Sequence, residues 1–103
     1  MGSQRKIPLC GITLQASKMY FVYVLESMLD KSWYIGYTPD SPENRLKKHN
    51  NLEVYYTKRK APWKIIYFEA YLERSDAAGR EKFLKSGSGR TFLKKQLKNY
   101  LVD

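Results

Sequence analysis

Residues 19–38 read MYFVYVLESMLDKSWYIGYT, and the rest of the chain is read outward from them. Two runs rich in β-branched and aromatic residues, from Tyr20 to Leu25 and from Trp33 to Tyr37, flank the turn-prone pair Asp30-Lys31. That pattern predicts a hairpin with strands over residues 19–26 and 32–38. A turn centred near Met28-Leu29 sets Tyr23 opposite Tyr34 and Phe21 opposite Gly36. Cross-strand partners share a face of a sheet, so two phenols are expected side by side above a position with no side chain. Taken alone, a buried tyrosine pair is usually packing.

The next stretch, from Asp40 to Asn51, reads as a helix. Ser41 suits the N-cap, Pro42 the first helical position and Glu43 the positive helix end. Asn50 and Asn51 are expected to close it in left-handed geometry. Arg45 and His49 are four apart and project from one face, as they would in any solvated basic helix. Residues 50–62 read as a loop, with a short extended section at Val54-Tyr55-Tyr56. Thr57-Lys58-Arg59-Lys60 then follows two tyrosines, a mixture suited to sugar-phosphate and exposed bases.

Residues 63–71 form the third expected strand. Its apolar residues fall on both parities, which points to a central strand covered on both faces. Ser75 is expected to cap a helix over residues 76–85, closed by Gly87. Ala77, Glu81 and Leu84 share a face of that helix. A carboxylate on an apolar stripe needs a cation; Lys85, four residues on, supplies an ordinary one. Ser88 can cap a last helix whose apolar side is Phe92, Leu93, Gln96, Leu97 and Tyr100. The fold class is therefore α+β, a three-stranded antiparallel sheet flanked by helices in the order β-β-α-β-α-α.

The 103 residues suit one small domain. Residues 1–18 lack periodicity and read as a poorly structured leader, so the functional domain is expected to run over residues 19–103. Cys10 is the sole cysteine, which allows no internal disulfide and fits a reducing, cytoplasmic setting. No apolar run of the ~18 residues needed to span a membrane is present. The net charge is +9. Arg5, Lys6 and Lys18 precede the first strand, so 16 of the 19 basic residues and all 10 acidic ones fall in residues 19–103, a net of +6. Such a balance favours a polyanionic partner, though ribosome-bound and membrane-surface proteins share it. No Gly-rich phosphate loop or cysteine–histidine zinc cluster occurs.

Phe21-Val22-Tyr23, Tyr34-Ile35-Gly36, Arg45 and His49, in this order and spacing, resemble the core of the GIY-YIG nucleases, in particular the small single-domain UPF0213 (YhbQ-like) group. Phe21-Val22 replaces the Gly-Ile of the first element, the tyrosine is kept, and the second element is intact. The likeness continues through residues 58–63 and 80–87 and covers residue 19 to about 97. It implies a metal-dependent endonuclease acting on DNA through a single Mg²⁺ (or Mn²⁺) ion held by Glu81. It also implies Tyr23 as the base that activates water, Tyr34 orienting water or phosphate, Arg45 as a phosphate clamp and His49 hydrogen-bonding within the site. Gly36 would permit close approach, and Lys47, Lys48, Lys58, Arg59 and Lys60 would contact nucleic acid. Nearby positive charge, including a protonated His49, is expected to lower the Tyr23 pKa. Two alternatives remain: a nucleic-acid-binding module with little turnover, and a nuclease subunit that needs a protein partner.

Overall fold

The computed structural model describes residues 19–102; the expected leader, residues 1–18, and Asp103 lie outside them. Strand β1 (Tyr20–Ser27) and β2 (Trp33–Thr38) form the hairpin, and helix α1 (Pro42–Asn50) follows. A 3₁₀ segment (Tyr55–Lys60) leads into β3 (Trp63–Tyr71), then α2 (Arg74–Leu84), α3 (Gly87–Gln96) and the short α4 (Lys98–Leu101). The expected architecture is present: one antiparallel three-stranded sheet with helices on both faces. Among the described residues no helix is long and apolar enough to cross a membrane.

The sheet order is β2-β1-β3, so the central strand is β1 and not β3. Val22 to Ser27 are all buried, whereas Phe68 and Ala70 of β3 are exposed. The double parity of β3 has another cause. Val24 pairs with Tyr67 but Leu25 with Ile65, which leaves Ile66 as a bulge. An extra residue switches the faces of everything beyond it. Trp63 and Ile65 therefore share the face of Tyr23 and Leu25, while Tyr67 and Tyr71 share that of Val22 and Val24.

The hairpin register also differs from the expected one. Tyr23 pairs with Gly36, Leu25 with Tyr34 and Phe21 with Thr38. The turn sits later because its side chains build it. Ser27 Oγ accepts from the Leu29 and Asp30 amides, Asp30 Oδ1 accepts from the Ser32 amide and hydroxyl, and Lys31 takes φ 67°. The slip is two residues, an even number, so Tyr23 and Tyr34 keep a common face.

One face of the sheet is sealed by α2 and α3, with Ala77, Leu84 and Leu93 packed on Val22, Val24 and Ile35. On the other, α1 lays Leu46 near Tyr23, Leu25 and Trp63. Ser41 caps α1 as expected, accepting from the Asn44 amide, but the left-handed residue after it is Leu52, with φ 63°. Val54-Tyr55-Tyr56 is not extended, because residues 55–60 coil as 3₁₀ with the Thr57 amide donating to Val54. Helix α2 starts at Arg74, before Ser75, without a side-chain cap. Ser86, not Ser88, caps α3, and Gly87 opens that helix instead of closing α2. This early start lets α3 cross tightly: a Cβ on Gly89 would stand 2.5 Å from Leu84 Cα.

Candidate active site

Strand β1 carries Tyr23 inward, 1% exposed, against α1. Its hydroxyl lies 3.2 Å from His49 Nε2, and His49 Nδ1 lies 2.7 Å from Thr57 Oγ1. Thr57 Oγ1 donates in turn to the Val54 carbonyl, at 3.3 Å. With its one proton committed there, the threonine can only accept from the imidazole. Nδ1 therefore carries hydrogen, and Nε2 is free to accept the Tyr23 hydroxyl proton. A directed chain runs from phenol to imidazole to threonine to backbone, wholly buried at Tyr23, His49 and Thr57.

Tyr34 stands over this chain from β2, its ring 5.0 Å from His49 and 6.4 Å from Tyr23. Arg45, one turn before His49 on α1, brings its guanidinium near enough to the Tyr23 phenol to favour the phenolate. Its Nε is the buried side-chain atom with no hydrogen-bond partner among the described residues. A buried donor without an acceptor is costly, and a phosphate oxygen would fill that role. Glu81 lies on α2, and its negative charge is the smallest of the five influences on the Tyr23 phenol. Its carboxylate is 3.0 Å from Lys85 Nζ, so the ordinary i, i+4 pair forms.

The electrostatics depart from the expectation. Burial pushes the Tyr23 phenol above its ordinary value and outweighs the opposing Arg45; Tyr34 and Glu81 add to the rise. His49 is not protonated: burial first, then the Arg45 charge, lower its pKa from 6.5 to about 4. The site thus holds a neutral phenol donating to a neutral imidazole.

Gly36 has a different task from the one expected. Directly opposite Tyr23, it leaves room for the ring, since a Cβ there would lie 2.5 Å from Tyr23 Cζ and against the hydroxyl. The ring is buried and bonded to His49, so it cannot swing clear cheaply. Gly36→Ala should cost about 1–3 kcal/mol of stability and break the Tyr23–His49 bond, which urea unfolding midpoints and the His49 chemical shifts would reveal.

Lys47, Lys48, Lys58, Arg59 and Lys60 are all exposed, on α1 and the 3₁₀ segment. Lys58 sits 4.9 Å over the Tyr55 ring, and Lys60 pairs with Asp30 at 3.3 Å. Three further residues hold the site and were not foreseen. Thr57 fixes the histidine tautomer. Trp63 donates to the Thr57 carbonyl at 2.9 Å and packs on Tyr34. Asn50 clamps both main-chain groups of Trp63, at 2.6 and 3.0 Å, tying α1 to β3. Each contact joins elements distant in local pattern, and no spacing signals it.

The neutral His49 makes stability pH-dependent. Its folded pKa of about 4 lies below 6.5, so between these values the unfolded chain binds more protons and stability falls as pH falls. The contribution is whole above pH ~6.5 and should shrink by about 2–3 kcal/mol by pH ~4.5. The difference in urea midpoint between wild type and His49→Gln should narrow across that window; a constant difference would contradict a neutral, buried His49.

Comparison with known proteins gives a consistent picture. Residues 19–96 match the family model described as the GIY-YIG catalytic domain. A UPF0213 protein of Clostridium perfringens is 38% identical over 68 residues, 65% of this chain and 71% of that one. A UPF0213 protein of Listeria welshimeri is 33% identical over 84 residues, 82% of this chain and 87% of the relative. The solution NMR structure of a UPF0213 protein from Bacillus halodurans is 32% identical, covers 81% of this chain and 85% of its own, and superposes with a TM-score of 0.46.

Proposed function

Since the chain belongs to the GIY-YIG catalytic domain family, we propose that it is an endonuclease that hydrolyses phosphodiester bonds in DNA with the help of one divalent cation. The observation that carries this reading is the buried Tyr23–His49–Thr57 chain ending beside an unpartnered Arg45 Nε. It supplies a route for a proton beside a cationic donor that has no acceptor among the described residues.

In this reading Arg45 binds and orients the scissile phosphate through its planar fork. A water on the Tyr23 hydroxyl attacks phosphorus as the bond from phosphorus to the leaving oxygen breaks. The phenol oxygen takes the water's proton, the phenol's own proton passes to His49 Nε2, and the departing oxygen takes a proton from solvent. The imidazolium keeps its Nδ1–H on Thr57, so no buried donor is lost. Tyr23 needs no free phenolate here, which suits a phenol with a raised pKa. The low basicity of His49 recovers as negative charge builds on the phosphate. Tyr34 orients water or phosphate from above.

The residues present suit a divalent ion. Glu81 offers one partly exposed carboxylate, and Lys85 is exposed enough to swing away. Mg²⁺ commonly makes do with one or two carboxylates and keeps several waters, and among the described residues no larger acidic or histidine cluster competes. Bound at Glu81, Mg²⁺ or Mn²⁺ would polarise a phosphate oxygen and steady the leaving oxygen.

Labelled single strands, duplexes and branched DNAs, each incubated with Mg²⁺, Mn²⁺ or EDTA, test the reading. Metal-dependent cleavage of at least one is expected. Binding of all without cleavage of any would support the second reading, a nucleic-acid-binding module, which the Glu81–Lys85 pair favours.

A further inference from the structure

A second basic surface lies on the other side of the sheet. Across the end of the hairpin, Trp33, Glu26 and Lys64 form one row on three strands, on the face of Val22 and Val24 and away from Tyr23. This row floors a groove of about 1000 Å³ that α3 and α4 wall in. Glu26 is 5% exposed, and its carboxylate accepts from Trp33 Nε1 at 3.1 Å and from the Tyr100 hydroxyl at 2.6 Å. Burial opposes its charge, but those two donors with Lys31 and Lys64 hold its pKa below the ordinary value. Around this single carboxylate stand Lys31, Lys60, Lys64, Arg90 and Lys94. Lys60 pairs with Asp30. Among the described residues the other four make no ion pair. Such an excess of unpaired cations in one concavity attracts a polyanion.

Lys60 lines this groove and also ends the 3₁₀ segment that carries Lys58, Arg59 and the exposed Tyr55 and Tyr56. The basic surface is thus continuous around the hairpin tip, from the side of Tyr23 to the opposite face. A duplex is stiff over about 150 base pairs and cannot turn around the edge of one small sheet, whereas a single strand can. We infer that the groove between the hairpin end and α3–α4 binds the sugar-phosphate backbone of a single-stranded arm of the same nucleic acid that occupies the Tyr23 site. The inference rests on the nuclease reading for the identity of the polyanion, and its test separates the two.

The probe is a labelled duplex with a single-stranded flap, beside the same duplex without one. Binding is followed by fluorescence anisotropy over a salt series, for wild type, Arg90→Ala/Lys94→Ala and a control of equal charge loss, Lys82→Ala/Lys98→Ala. Two lost single-strand contacts should lower the log–log salt slope by about 1.4 for the groove variant on the flapped substrate. The slope should not change on the plain duplex, nor for the control on either. Equal slopes for wild type and groove variant on the flap would overturn the inference, as would an equal drop for the control. If slopes behave as expected while wild type cleaves nothing, the groove stands and the catalytic reading falls. If cleavage occurs and the slopes do not move, the groove alone falls.

Discussion

Glu81→Ala should remove Mg²⁺-dependent cleavage, by about 10³-fold or more, and leave both fold and DNA affinity in place. The rate loss follows from the chemistry a divalent ion supplies, several kcal/mol of charge stabilisation at the reacting phosphate, with one carboxylate to hold it. The fold should tolerate the change. Glu81 contacts Lys85 in a partly exposed i, i+4 pair, worth about 0.3–0.5 kcal/mol, and alanine is the best helix former. The melting temperature should therefore hardly move. Affinity measured in EDTA should rise slightly, since a negative charge leaves the neighbourhood of the bound phosphate. Loss of cleavage together with loss of the folded state would mean that Glu81 is structural.

Tyr23→Phe should be nearly as damaging to rate, by about 10²–10⁴-fold, the usual weight of a positioned acid–base group. It deletes one oxygen and almost no volume from a residue 1% exposed. The cost to stability is a second and separate reading: His49 Nε2 loses its donor inside the core, about 1–3 kcal/mol. Urea midpoints should show that loss while far-ultraviolet circular dichroism stays the same. A water-mediated mechanism that bypasses Tyr23 would leave the rate within a few-fold of wild type.

Much of this was legible in the sequence, and the failures have physical causes. Alternating aromatic and β-branched residues marked the hairpin, and because faces depend only on parity, Tyr23 and Tyr34 were paired on one face in spite of a two-residue error in register. That error came from a turn shaped by Ser27 and Asp30 side chains, which periodicity does not see. The Ile66 bulge hid the edge character of β3 by mixing its parities. That Arg45 and His49 share a helix face was legible from their spacing; their role beside Tyr23 came only from the resemblance. The charge state of His49 was not, because it depends on how deeply tertiary packing buries the ring. Thr57 and Trp63 stayed invisible for the same reason, since each acts through a contact made only when the 3₁₀ segment folds under α1.

In the nuclease reading, Tyr23 on β1 and Glu81 on α2 serve one hydrolytic site. Single-turnover cleavage of one labelled substrate in Mg²⁺ by wild type, Tyr23→Phe, Glu81→Ala and the double variant tests it most directly. Groups that act as a unit have overlapping penalties, so the double variant should be no slower than the slower single variant. A double variant that cleaves as fast as wild type would place the activity elsewhere.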